Sequence, residues 1–194
     1  MKIIGLTGAS GSGKSVIAKM FGFPIVDADK AARVAVEIDE CLESLVENFG
    51  KEILNQDKTL NRKELAKRAF ISKEKTEILN SITHPFIIKI MNDEIDMHKQ
   101  NGASAVVLDA PQLFEAGCEK MCDVVIGVLA DKDLRKQRIM ARDNISENDA
   151  ALRLSASKSD EFFIENCDYI IINNDDIEKA AQSVAKILEE IGLR

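Results

Sequence analysis

The sequence predicts an α/β protein of three layers, with a five-stranded parallel sheet covered on both faces by helices. Three observations carry this. Short apolar segments alternate with stretches of helical periodicity along the 194 residues. The apolar segments are hydrophobic at most positions, as strands buried on both faces are. A glycine-rich turn, from Gly8 to Gly13, separates the first of them from the first helical pattern.

The elements follow in order. Residues 2–7 read as a buried strand, 15–21 as a helix and 23–27 as a short strand. Two helical stretches cover about 29–48, and Gly50 suits a C-terminal cap. Asn61, with Glu64 three residues on, makes a capping-box pattern. Ser72 can cap a helix through Ile82, and Pro85 fits the first turn of another. That helix carries Phe86, Ile87, Ile90, Met91 and Ile95 at helical spacing, with Gly102 past its end. Residues 103–109 and 123–130 are the next strands. Asp131 can cap a helix through Arg142, and Ser146 with Asp149 forms a second capping-box pattern. Residues 169–172 are the last strand, and the final helix places Ile177, Ala181, Val184, Leu188 and Ile191 on one face. The expectation is a single domain, residues 1–194, with a helical insertion at about 50–102 and a polar helical excursion at about 135–165.

Composition excludes several classes. Apolar residues at 45% and charged residues at 30% are ordinary for a folded soluble chain. The length suffices for a core without disulfides or metals. The longest apolar run, 124–130, is too short to span a bilayer. Residues 1–15 lack a signal-peptide pattern, because glycines interrupt the apolar stretch at once. No membrane partner is expected. A net charge of −7 argues against a nucleic-acid partner, so a polyanionic ligand needs a locally positive pocket. The four cysteines include no C-x-x-C pair, and there are only two histidines, which argues against zinc. They read as reduced thiols of a cytoplasmic protein. Cys118 and Cys122, four apart, are placed to share a helix face.

The turn itself carries chemistry. Gly8-Ala9-Ser10-Gly11-Ser12-Gly13-Lys14-Ser15 fits G-x-x-x-x-G-K-[ST]. Glycines let the backbone curl so that N–H groups converge on phosphate oxygens, and the following helix points its positive end at the same anion. Lys14 then reaches the β/γ phosphates, and the Ser15 hydroxyl is a Mg²⁺ ligand. A phosphate loop implies a nucleoside triphosphate without naming the reaction. GTPase-like switches usually carry D-x-x-G and N-K-x-D. Asp109 is followed by Ala110-Pro111-Gln112, and no N-K-x-D occurs, which favours a small-molecule kinase.

Phosphoryl transfer needs a carboxylate at the acceptor hydroxyl. Asp27-Ala28-Asp29 ends the second strand, where ligands of parallel sheets bind. Asp29 serves there as that base or as a helix cap. Asp109, ending the apolar run 106–108, serves as a Mg²⁺-holding acid or as a loop cap. Arg135, Arg138 and Arg142 share a helical face. They form a closing lid over the transferring phosphoryl or a solvated face paired with Asp131, Asp133 or Asp143.

Several blocks together resemble the dephospho-CoA kinase family along nearly the whole chain. They are Ile4-Gly5-Leu6-Thr7-Gly8 with Gly11 through Ser15; Asp27-Ala28-Asp29 with Ala32-Arg33; and Leu60-Asn61-Arg62 with Leu65 and Phe70. Further along come Leu79-Asn80-Ser81-Ile82-Thr83-His84-Pro85, Asp109-Ala110-Pro111 with Leu113-Phe114-Glu115, Gln137-Arg138 with Arg142, and Asp168-Tyr169 with Asn173. The I-T-H-P and P-x-L-F-E blocks are the specific ones. The resemblance implies a phosphate-loop kinase that uses Mg²⁺ and ATP to phosphorylate the ribose 3′-hydroxyl of dephospho-CoA. It implies nucleotide contacts at Gly11, Ser12, Gly13, Lys14, Ser15 and Val16, and acceptor contacts at Asp29, Arg62 and His84. It further implies metal contacts at Ser15 and Asp109, and catalysis by Asp29, Lys14, Arg138 and Arg142, the two arginines lying in a lid at about 135–165. The chain departs from the family pattern at Ala9, Ser10, Val16, Gln112, Ser157 and Asp175. Two other readings remain open from the residues: a kinase for another small acceptor, and a nucleotide-binding regulator without turnover.

Overall fold

β1 (Lys2–Gly8) lies at the centre of the sheet, buried from Ile4 onward. In this computed structural model, residues 1–174 and 176–193 are described, and Asp175 lies outside them. β1 pairs in parallel with β3 (Ala105–Asp109) on one side and β4 (Val124–Leu129) on the other. β2 (Ile25–Asp27) flanks β3, and β5 (Tyr169–Ile172) flanks β4, giving the order β2-β3-β1-β4-β5. The chain therefore leaves β1 toward one edge and later crosses to the other. Parallel sheets open a ligand crevice at such a reversal, beyond the carboxyl ends of the strands. Register places Leu6 of β1 opposite Asp109 of β3, so the glycine-rich turn and Asp109 share that end. At the opposite end, carboxylates stitch strand starts together: Asp123 accepts from the Ile3 N–H and Asp168 from the Val125 N–H, each at 2.7 Å.

β3 and β4 are buried at every residue, which explains why their sequences do not alternate. Side chains of adjacent strand residues still point to opposite faces. On one face, Ile4, Leu6, Ile126, Val128 and Ile171 pack with Ile17 and Phe21 from α1 (Lys14–Met20) and its C-terminal cap. Val184 and Leu188 of the final helix (Ile177–Glu190) complete that core. On the other face, Leu129 and Ile170 meet Phe163, with Phe162 set edge-on to Phe114 at 5.2 Å. Cys118 and Cys122 do not share a helix: a 3-10 turn covers Cys118–Met121, and the Cys122 thiol donates to the Cys118 carbonyl at 3.4 Å. Burial pushes the Cys122 thiol up to about 12, too high for a reactive thiolate.

The chain divides into two compact units: residues 1–26 with 97 onward, and Asp27–Asp96. The second unit holds α2 (Ala28–Ala35), α3 (Asp39–Phe49), α4 (Arg62–Ala69) and most of α5 (Lys73–Gln100). Its own core comprises Cys41, Leu45, Phe49, Ile53, Leu65 and Ala69, with Ile78, Leu79, Ile82 and Phe86 against it. Its caps form where the sequence places them. The Asn61 side chain accepts from the Glu64 N–H at 3.1 Å, and the Ser72 hydroxyl accepts from the Lys75 N–H at 3.3 Å. Gly50 ends α3 at a φ of 88°.

In the first unit, α6 (Lys132–Asp143), α7 (Glu147–Ser155) and α8 (Asp160–Asn166) precede β5, and α9 (Ile177–Glu190) follows it. Ser146 caps α7, accepting from the Asp149 N–H at 3.2 Å and donating to its carboxylate at 2.6 Å. Asp131 occupies the N-cap position of α6, but its side chain makes no cap bond; its N–H donates to Asn174 at 2.9 Å. Among the described residues no helix is long and apolar enough to cross a membrane.

One expectation fails clearly. Pro85 does not open a helix; it sits inside α5, which runs unbroken for 28 residues. Proline lacks the N–H that would bond the Ser81 carbonyl. Two side chains reinforce the turn before it, Ser81 donating to the Ile78 carbonyl and Thr83 to the Leu79 carbonyl, both at 2.9 Å. Core residues on both sides of the proline, Leu79 and Ile82 before it and Phe86 after it, hold the two halves as one helix. Pro85→Ala restores the missing donor. It should raise the free energy of unfolding by about 2 kcal/mol, read as a higher urea midpoint at unchanged slope.

Candidate active site

The turn after β1 is built to present donors. Gly11 and Gly13 adopt left-handed φ of 79° and 82°, which side-chain-bearing residues resist. Space forbids a side chain as well: a Cβ on Gly11 would lie 2.6 Å from the Arg135 carbonyl oxygen, and one on Gly13 would collide with the Asn173 amide. The Ser12 N–H closes the turn onto the Ala9 carbonyl at 3.1 Å. The outward-facing carbonyls are satisfied from behind. Ser12 O accepts from Asn173 Nδ2 at 2.8 Å and from Arg138 Nη1 at 3.3 Å, and Gly11 O accepts from Arg138 at 3.3 Å. The N–H groups of Gly11, Gly13 and Ser15 have no protein partner among the described residues. The Ser12 hydroxyl is buried and also unpartnered. A concave run of open N–H groups is an anion cradle.

Lys14, the first residue of α1, follows the loop. The Lys14 ammonium pairs with the Asp109 carboxylate, and both side chains are 12% exposed. The Asp109 carboxylate thus faces Lys14, at the carboxyl end of β3. Ser15 and Val16 are exposed in the first turn of α1. The Ser15 hydroxyl has no partner among the described residues, whereas the Val16 N–H is already spent on the Gly13 carbonyl at 2.9 Å.

The three arginines of α6 diverge in role. Arg138 reaches into the loop and also donates to the Asn173 carbonyl at 3.0 Å. Arg135 is buried and pairs with Asp160 at 3.0 Å, tying α6 to α8. Arg142 points instead to its neighbour, both nitrogens meeting the Asp143 carboxylate at 2.8 Å. Arg153 of α7 pairs with the same carboxylate, so Asp143 links the two helices. Its arginine bonds hold Asp143 below the usual carboxylate range, the Arg142 hydrogen bond being the main cause.

Asp29, Arg62 and His84 belong to the second unit. Asp27, not Asp29, caps α2, accepting from the Lys30 N–H at 3.0 Å. Asp29 stands exposed in the first turn with no partner among the described residues. Arg62 donates to the Arg33 carbonyl and to Glu37, each at 3.0 Å. His84 is half-buried, and burial lowers its pKa below 6.5. Spacing offered Asp143 as a partner for the α6 arginines, and Arg142 pairs with it; it did not find Arg153 or Asp160, and Asn173 entered only through the resemblance. Its partner lies 161 residues away, and no local pattern signals such a bond.

Comparison with known proteins now decides the family. A family model described as dephospho-CoA kinase matches residues 2–179. A Corynebacterium efficiens dephospho-CoA kinase is 40% identical over 192 residues, covering 97% of this chain and 96% of that protein. The chain belongs to the dephospho-CoA kinase family. Solved structures agree. The Thermus thermophilus protein TT1252 superposes with a TM-score of 0.85 at 30% identity, covering 98% of this chain and 97% of that one. A dephospho-CoA kinase from Campylobacter jejuni gives 0.69 at 29% identity, with 97% and 96% covered. Dephospho-CoA kinases catalyse the final step of coenzyme A synthesis, the ATP-dependent phosphorylation of dephospho-CoA, and the fold is that of the phosphate-loop kinases.

Two outcomes follow. Lys14→Met strips the nearly enclosed Asp109 of its counter-ion and should cost about 3 kcal/mol in urea unfolding without nucleotide. Lys14→Met combined with Asp109→Leu should regain most of that, because no charge is left stranded. His84 binds a proton less readily in the folded than in the unfolded chain. Its contribution to stability is full above pH 6.5 and declines as the pH falls below it. His84→Gln should flatten the stability profile on the acid side of that value.

Proposed function

We propose that this chain transfers the ATP γ-phosphoryl group to the ribose 3′-hydroxyl of dephospho-CoA, with residues 8–15 as the nucleotide cradle and Asp29 as the base. The observation that carries the reading is the loop itself, with its open N–H groups, satisfied carbonyls and a lysine held by Asp109. On this reading Lys14 exchanges the Asp109 carboxylate for β/γ-phosphate oxygens, and the exchange releases Asp109. The freed carboxylate and the Ser15 hydroxyl are hard oxygen donors that fit Mg²⁺. When bound, Mg²⁺ would offset charge on the β- and γ-phosphate oxygens. The buried Ser12 hydroxyl supplies one more donor that lacks a protein partner.

Asp29 is the acceptor-side carboxylate because Asp27 takes the cap and leaves Asp29 unengaged. It orients the 3′-hydroxyl and accepts its proton as the new P–O bond forms. The helical insertion at about 50–102, with Arg62 and His84, holds the rest of the acceptor. The segment at about 135–165 acts as the lid. Arg138 stands at the loop, and Arg142, once it exchanges Asp143 for phosphate, offsets charge on the migrating phosphoryl. Lid closure excludes water and so suppresses ATP hydrolysis. The setting is cytoplasmic in this reading, where the four free cysteines stay reduced.

The test is ADP release with Mg-ATP, with and without dephospho-CoA, together with the mass of the product. Dephospho-CoA should gain one phosphate, dependent on Mg²⁺. Asp29→Asn should fold and bind ATP normally while kcat falls by about 100-fold or more. An unchanged kcat in that variant removes Asp29 from the mechanism.

A further inference from the structure

Asn173 follows β5, far from the phosphate loop in sequence, yet it is built into the loop's rear wall. Its backbone is fixed on two sides. The N–H donates to the Leu129 carbonyl at 2.8 Å, at the end of β4, and the carbonyl accepts from Arg138 at 3.0 Å. The side chain is 6% exposed and spans to the Ser12 carbonyl at 2.8 Å. Its amide nitrogen occupies the space that a Cβ on Gly13 would need.

The consequence is mechanical. A peptide unit is rigid and planar, so anchoring the Ser12 carbonyl also sets the direction of the Gly13 N–H bonded to the same carbon. That N–H is one of the open donors of the cradle. The reverse flip of the peptide would turn the carbonyl oxygen toward the phosphate and replace attraction with repulsion. A side-chain amide at this point holds the peptide the right way round before any nucleotide arrives, which preorganises the site.

We propose that Asn173 is a positioning residue for ATP, acting through the Ser12–Gly13 peptide without touching the phosphates. Arg138 is the second holder of the same carbonyl at the longer distance of 3.3 Å, so loss of Asn173 loosens the loop and does not dismantle it. The proposal rests on the phosphate-loop reading of residues 8–15, and its test separates the two.

Asn173→Ala removes the donor, and Asn173→Asp keeps the shape while setting a carboxylate against the Ser12 carbonyl. In Asn173→Ala the KM for ATP and the calorimetric Kd for ADP should rise about tenfold, and in Asn173→Asp by more. In Asn173→Ala the KM for dephospho-CoA should stay within about twofold, and the melting temperature of the nucleotide-free protein should change little, since Arg138 still holds the Ser12 carbonyl. Unchanged ATP and ADP constants in a folded variant overturn the proposal. So does an equal loss for both substrates together with a lowered melting temperature, which marks a merely structural residue. Should neither variant fold, the wild-type protein decides. A coupling across the hydrogen bond, between the Asn173 side-chain nitrogen and the Ser12 carbonyl carbon, should be seen by NMR, and its absence overturns the proposal. If wild-type protein fails to bind ADP at all, it is the phosphate-loop reading that falls.

Discussion

At the end of β1 the backbone must turn inside out. A strand points its N–H and C=O groups alternately to its two neighbours, whereas a phosphate cradle needs successive N–H groups on one side. That reversal requires left-handed residues, supplied by Gly11 and Gly13, and it requires donors behind the loop to take the displaced carbonyls. Buried carbonyls without partners are costly. Asn173, just past β5, and Arg138 of α6 meet that need. The position of α6 against the loop, with the Arg135 carbonyl in contact range of Gly11, follows from the same constraint.

Charge is handled by the same economy. The chain carries a net −7, yet its ligand is a polyanion. Several cations are held in pairs: Lys14 with Asp109, Arg135 with Asp160, Arg142 and Arg153 with Asp143. These pairs differ in worth. Lys14–Asp109 is nearly enclosed, so its geometry and charge balance matter for stability. Arg142 and Arg153 are half-exposed or more, and water screens their pairing with Asp143. In the proposed reaction a phosphate would displace a carboxylate to reach either cation, at less cost for the exposed Arg142 than for the enclosed Lys14.

Much of the fold was legible because it is local. The parallel strands are continuous apolar runs, and the caps at Asn61, Ser72 and Ser146 are single residues acting within one turn. The phosphate loop was legible for the same reason, since eight consecutive residues make it. Pro85 reads as a helix start because proline suits the first turn, and in the structure packing on both sides of it outweighs the missing bond. Asp131 sits at a cap position, but its side chain does not cap, and its N–H goes to Asn174, 43 residues away. Asp27 and Asp29 are equally good caps on paper, and only the backbone angle at the end of β2 assigns that task to Asp27.

The sequence by itself determined the alternation of strand and helix, the phosphate loop and the family to which the chain belongs, since each is written in contiguous residues whose physics acts over one or two turns. Tertiary structure alone decided which carboxylate faces Lys14, that Arg138 and Arg142 turn to different partners, and that an asparagine beyond the last strand braces the loop. The Lys14–Asp109 and Asn173–Ser12 contacts join groups 95 and 161 residues apart, and such distances are closed only when the sheet order β2-β3-β1-β4-β5 brings the strand ends side by side.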